Sequence, residues 1–171
     1  MRLSGTSLLV AVLAATSLTA CARRAPADLP PAPPPSSESG ATDPGESEWE
    51  RMRREFIAQA GSDTVHFETD SHALDAQSRE ILEGQARWLL ANPHVNVTIE
   101  GHCDERGTRE YNLALGERRA NAAKNFLAAR GVPESRMRTI SWGKERPVAL
   151  GSDESAWAQN RRAVTVLPTG R

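Results

Sequence analysis

The chain has 171 residues, with 21 Lys+Arg, 22 Asp+Glu, four His and two Cys. That length suits one domain or two. A net charge of −1 excludes a general electrostatic attraction to nucleic acid or anionic lipid. Two cysteines exclude a disulfide scaffold and a four-thiolate zinc site. The composition is uneven, with seven of the 11 prolines before residue 45. The folded part is therefore shorter than the chain.

Met1 and Arg2 give a minimal positive start, followed by the uncharged run LLVAVLAATSL over residues 8–18. The run is too short to span a bilayer as a helix but suits the apolar core of a secretory signal. It ends Leu18-Thr19-Ala20-Cys21, which resembles the lipobox of bacterial lipoproteins. That resemblance implies a lipid on the Cys21 thiol and cleavage before it. Acyl chains then anchor the protein without a transmembrane helix. The alternative is an ordinary secretory signal with an incidental Cys. Ala22 follows, where an Asp would be the inner-membrane retention signal of the lipoprotein class, so the outer membrane is the expected address.

Residues 22–48 hold seven prolines, and Leu29 is their only large aliphatic residue. Such a stretch cannot bury enough surface to offset its ordering entropy. The expectation is a disordered, partly polyproline II tether, reaching about 80 Å when fully extended. Residues 49–60 then read as a short amphipathic helix, with Trp49, Met52, Phe56 and Ile57 on one face. The expected seat of that face is the main domain; a partner-binding helix is the alternative.

From Asp63 the period changes repeatedly. Residues 64–67 are strand-like. Ser71 is positioned to cap a helix over about 73–91, with Leu74, Ile81, Leu82, Trp88 and Leu89 inward. Asn92-Pro93 stops it. Residues 95–99 alternate as a half-buried strand. A polar loop over 101–107 leads to a helix over about 108–130, with Tyr111, Leu115, Ala122, Phe126 and Leu127 inward and Gly131 as its stop. Residues 138–142 form a third strand, 153–160 a short helix and 162–167 a last strand. The order β-α-β-α-β-α-β predicts an α+β sandwich, with two helices on one face of a small mixed sheet. Residues 62–171 carry 15 acidic and 15 basic side chains, so this domain is neutral with its charges locally arranged.

The loop Gly101-His102-Cys103-Asp104-Glu105-Arg106-Gly107 is dense in functional groups. Asp104 at a strand end and Arg119 in the next helix can form a paired site for a zwitterion. The carboxylate would accept from an ammonium, and the guanidinium would bind a carboxylate bidentately. Free backbone N–H groups near residues 107–109 would add attraction for the anion. Asn112 lies in the first turns of the helix and can serve either half. A structural Asp–Arg pair bracing loop against helix is an equal alternative. Arg118 lies about 100° round the helix from Arg119, and spacing does not choose between them. His102, Cys103 and Asp104 are ligand types, but three consecutive residues rarely converge on one ion, so no metal or cofactor is expected. A Cys103–His102 nucleophile–base pair has poor geometry, because neighbours in extended backbone point apart. Residues 143–147 and 160–162 form a second polar cluster, read either as solvated loop ends or as a rim to the same site.

The runs GHCDERGTREYNLALGERRA (101–120) and GVPESRMRTISWGKERPVALGSDESAWAQNRRA (131–163) are similar to the OmpA-like C-terminal domain family, and to its wall-associated lipoproteins. The likeness covers about residues 62–168. It implies non-covalent binding of peptidoglycan through the meso-diaminopimelate of the stem peptide, whose free end is a zwitterion. Asp104 and Arg119 match the family's ligand-holding pair, which favours Arg119 over Arg118. Asn112 matches the Asn at the helix start, Arg162 an Arg of the NRR stretch, and Phe67 the aromatic of the first strand. Glu68 departs from the usual Asp. The family further implies TolB and the Tol system as partners, a role in outer-membrane constriction at division, and no enzymatic activity. The expected division is a signal peptide over 1–20, a lipidated Cys and tether over 21–48, a short helix over 49–61 and the binding domain over 62–171. A wall-binding lipoprotein independent of Tol is the alternative within this fold, and an enzyme using Cys103 and His102 the alternative outside it.

Overall fold

The structure, a computed structural model, describes residues 47–168. The signal segment, Cys21 and nearly all of the expected tether lie outside the described residues.

The first helix, α1 (Glu48–Ala60), starts just before the predicted position. Ser47 and Glu50 form a reciprocal capping box that satisfies its first N–H groups. Its apolar stripe seats on α2 (Ala76–Ala91), where Phe56 meets Trp88 edge-to-face at 5.0 Å between ring centroids. Gly84 permits this approach, since a Cβ there would lie 2.8 Å from the Ala60 Cα. Phe56 is fully buried, a contribution of about 1.5–3 kcal/mol from apolar burial. The segment therefore shares the core of the domain that follows it.

Four strands make one sheet in the order β1-β4-β2-β3: β1 (Thr64–His66), β2 (Val97–His102), β3 (Met137–Gly143) and β4 (Arg162–Val166). β2 and β3 run parallel, joined by α3 (Arg109–Ala129), and β4 is antiparallel to both β1 and β2. This is the expected mixed sheet. Its core face presents Val65, Val97, Ile99, Met137, Ala163 and Thr165 to α2 and α3. A short α4 (Glu154–Asn160) is capped by Asp153.

Three local expectations need correction. Ser71 does not cap α2: its hydroxyl accepts from Ala73 N in a local turn, and Asp75 is the cap, accepting from Ser78 N. β2 begins later than predicted and extends to His102, because Gly101 pairs with Ala163 and Ser141, and His102 with Gly143. The inward face of α3 is also different. Asn112, Leu115, Gly116, Arg119, Ala120, Ala123 and Leu127 are buried, whereas Tyr111 is exposed and Ala122 and Phe126 are half-buried. The helix turns its polar residues inward at one end, so the apolar stripe is an incomplete guide.

The backbones of β2 and α3 touch where they cross. A Cβ on Gly101 would fall 1.8 Å from the Gly116 carbonyl oxygen, and one on Gly116 would fall 2.9 Å from the Gly101 oxygen. Only two glycines permit that approach.

Candidate functional site

The crossing of β2 and α3 brings the end of the strand against the first turns of the helix. Thr108 caps α3, its hydroxyl accepting from Tyr111 N. The Asn112 amide donates to the Arg106 and Thr108 carbonyls at 2.7 and 3.0 Å, which fixes the loop. Lys144 donates to the Glu105 and Gly107 carbonyls from the other side. Arg109 pairs with Glu145 at 3.1 Å. Lys144 and Glu145 of the second polar cluster thus brace the loop and the helix start, and no residue of 143–147 or 160–162 lines the pocket beside them.

A pocket of about 220 Å³ opens here, lined in part by Asp104, Asn112 and Arg119. Arg119 is 1% exposed. It donates to three backbone carbonyls: Nε to Ser71 at 2.8 Å, Nη1 to His102 at 2.9 Å and Nη2 to Glu68 at 3.1 Å. The Phe67 ring stacks behind the guanidinium at 5.2 Å. A guanidinium carries five N–H groups, so two remain beyond these three backbone bonds, and the Cys103 sulfur stands next to this pair. Burial lowers its pKa, and Cys103 and Asp104 oppose that shift. An arginine remains a cation throughout.

Asp104 faces the same pocket. Its Oδ1 accepts from Arg106 N and Nε, both at 3.1 Å, and its Oδ2 from Arg106 Nη2 at 2.7 Å. Arg161 Nη1 stands 3.6 Å from Oδ2. Burial pushes the Asp104 carboxyl up, but the hydrogen bonds and charge of Arg106, with the charge of Arg161, outweigh it and hold the pKa below the ordinary value. Among the described residues no ion pair joins Asp104 directly to Arg119. The two charges flank a cavity rather than neutralise each other.

The predicted residues do not all converge. Asp104, Asn112 and Arg119 line the pocket. Phe67 is 5% exposed and backs Arg119 instead of lining the cavity with it. Arg162 lies elsewhere. As the first residue of β4 it alternates with the core-facing Ala163 and Thr165, pairs with His66 across the ladder and donates to the Arg146 carbonyl. Arg161, two residues before Ala163, turns to the site. Its Nε donates to the Phe67 carbonyl and its Nη2 to Glu154. The parity shared with Ala163 was the available signal.

Sequence reasoning also passed over Arg106 and the Tyr111–Asp70 hydrogen bond at the pocket mouth. Asp70 takes a left-handed backbone, φ 55°, which an Asp tolerates. Cys103 and His102 are separated as the alternation requires. The Cys103 thiol donates to the Asn112 carbonyl, and burial pushes its pKa up, against the charge of Arg119. The His102 ring instead lies 3.5 Å from Glu100, two residues back on its own strand. Its pKa is lowered to about 4 by burial, with Arg162 and Arg146 adding to the effect. A protonated, buried thiol and an imidazole directed away from it make no nucleophile–base pair.

Comparison with known proteins places this chain in a family. The OmpA family matches residues 66–161. The chain is 54% identical over 129 residues to the peptidoglycan-associated lipoprotein of Rhizobium meliloti (strain 1021), covering 75% of this chain and 69% of that protein. The peptidoglycan-associated lipoprotein of Brucella melitensis is likewise 54% identical over 129 residues, covering 75% of this chain and 73% of that protein. The crystal structure of the peptidoglycan-associated lipoprotein from Burkholderia pseudomallei is similar with a TM-score of 0.62 and 45% identity, covering 63% of this chain and 92% of that chain. The C-terminal domain of Helicobacter pylori MotB, at 21% identity and a TM-score of 0.58, shares the fold; 63% of this chain and 85% of that one align. The chain belongs to the OmpA family, among its peptidoglycan-associated lipoproteins.

Proposed function

We propose that this protein is an outer-membrane lipoprotein whose periplasmic domain holds peptidoglycan non-covalently. The names of its relatives support association with peptidoglycan. The observation that carries the site is the pocket itself. A buried guanidinium and an ionised carboxylate stand on its walls without pairing to each other. A ligand with an ammonium and a carboxylate on one carbon satisfies both walls, and the free end of meso-diaminopimelate is such a group. Arg119 would take the carboxylate, helped by the N-terminal N–H groups of α3. Asp104 would take the ammonium. Asn112 already spends both amide hydrogens on the loop, so its oxygen is the atom available to the ligand. Nothing in this binding makes or breaks a covalent bond.

The wider role follows the same reading. A lipid on Cys21 would hold the outer membrane while the pocket holds the wall. TolB and the Tol system would be the protein partners, in envelope integrity and in constriction at division. TolB and wall would compete if their surfaces on the domain overlap.

Pull-down with purified diaminopimelate-type peptidoglycan tests the site. Asp104→Ala and Arg119→Ala are each expected to abolish retention of a folded protein. Retention of both would overturn the assignment. Co-precipitation with TolB at micromolar concentration tests the partner, and its absence would leave a wall-binding lipoprotein outside the Tol system.

A further inference from the structure

A carboxylate offers about four lone-pair positions. Three of those of Asp104 accept hydrogen bonds, and a second guanidinium, which makes no hydrogen bond there, stands beside the fourth. Oδ1 accepts twice from Arg106, at its backbone N and at Nε. Oδ2 accepts from Arg106 Nη2 and faces Arg161 Nη1 at 3.6 Å. An arriving ammonium therefore meets a cation on both oxygens of the carboxylate, and to gain a direct place it has to displace one of them.

The candidates for leaving are unequal. The backbone N–H of Arg106 is fixed by the loop, which Asn112 and Lys144 tie down. Arg161 is 5% exposed and is held by the Phe67 carbonyl and Glu154. The Arg106 side chain is 38% exposed, so water can receive it. Its other contacts are a 3.3 Å bond to Thr69 and the face of Trp157 at 4.2 Å. Trp157 is itself held by Glu105, through Nε1 at 3.1 Å. The indole can keep the guanidinium beside the pocket after it releases the carboxylate.

We infer that the Arg106 side chain is a built-in competitor for the ligand's ammonium: it occupies Asp104 in the empty site and swings away along Trp157 when the ligand binds. This rests on the wall-binding reading above. Arg106 then sets the affinity of the pocket and ties it to the charge of the ligand. A ligand without an ammonium has nothing to put in the guanidinium's place.

Calorimetric titration of the full-length chain with meso-diaminopimelate tests this, with pimelate as the analogue lacking both amino groups. Arg106→Ala is expected to bind meso-diaminopimelate roughly threefold to tenfold tighter, the range for losing a partly exposed charge-assisted pair. Arg161 remains to face Asp104, so the variant keeps a partner for the carboxylate. Arg106→Lys, a point charge without the fork, should fall between the two. Neither variant should gain affinity for pimelate. Equal or weaker binding of meso-diaminopimelate by Arg106→Ala overturns the inference, because Arg106 would then be inert or a direct ligand contact. An equal gain for pimelate also overturns it, as a general widening of the pocket. Asp104→Ala and Arg119→Ala distinguish the two levels. If both bind as the wild type does, the pocket reading fails, and the inference falls with it. If both lose binding while Arg106→Ala gains none, the pocket stands and the competitor alone fails.

Discussion

Two arginines, at different places in the fold, use the same device for different ends. Arg136, just before β3, donates from Nε, Nη1 and Nη2 to the carbonyls of Leu89, Asn92 and Val95, four bonds in all. It pins the turn between α2 and β2. Arg119 ties the segment after β1 to the end of β2 with three such bonds, to Glu68 and Ser71 in the first and His102 in the second. Arg136 has spent almost all its donors on its own backbone. Arg119 keeps two, is fully buried and faces a carboxylate across a cavity. Bracing alone does not mark a binding residue. Bracing with donors left over, beside an opposite charge that pairs with other residues and not with this one, is what sets Arg119 apart.

The largest expected effect separates the two at once. Arg119→Ala should cost about 3 kcal/mol or more in denaturant unfolding, because three inward carbonyls lose their donor. Wall retention should vanish with it. A stable Arg119→Ala chain that still sediments with peptidoglycan would erase the distinction.

A smaller effect concerns pH. The His102 carbonyl serves Arg119 while its imidazole is held neutral, with a pKa of about 4. The unfolded chain's imidazole titrates near 6.5. The folded value is the lower one, so the unfolded state binds the extra proton between these limits. Stability should be complete above about pH 6.5 and fall as the pH drops toward 4, by on the order of 2–3 kcal/mol. Thermal melts of wild type and His102→Gln across that window check this, and parallel slopes would refute it. The Asp104 carboxyl, depressed in the fold, should add its own loss only below its ordinary range near 4.

Arg136→Ala sharpens the comparison from the other side. It should lose roughly 1–3 kcal/mol of stability, since Arg136 is half-buried, and keep full wall retention. The smallest stability change belongs to Asp104→Asn. The isosteric amide keeps one acceptor oxygen for Arg106, whose exposed side chain can turn to water, so the unfolding free energy should fall by about 1 kcal/mol. Binding should nevertheless fall by an order of magnitude or more in the pull-down. A parallel loss of folding would recast Asp104 as a brace.

The sequence made the strand–helix order readable because apolar spacing and turn residues agree over most of the domain. Asp104, Asn112 and Arg119 were legible as a group because loop and helix start are adjacent in the chain. Other features depend on contacts that spacing does not encode. The polar inward turns of α3 defeat an apolar stripe, since Asn112 and Arg119 are buried against backbone carbonyls and outside the apolar cluster. Ser71 and Asp75 are both good caps, and tertiary packing decides that α2 starts at the second. Arg161 and Arg162 are neighbours of identical chemistry, and the parity of Ala163 was the one sign in the sequence that they face opposite ways.

The contact between Gly101 and Gly116 has a further consequence. Asp104 lies three residues beyond the first glycine and Arg119 three beyond the second. Two backbones pressed together cannot slide apart or tilt without opening a void. The pocket is therefore a gauge of fixed span, and the smallest side chains in the protein calibrate it. A methyl group at either glycine would lengthen the gauge before it touched a single charged residue. On the proposed reading, zwitterions of one size would then be exchanged for those of another, or for none.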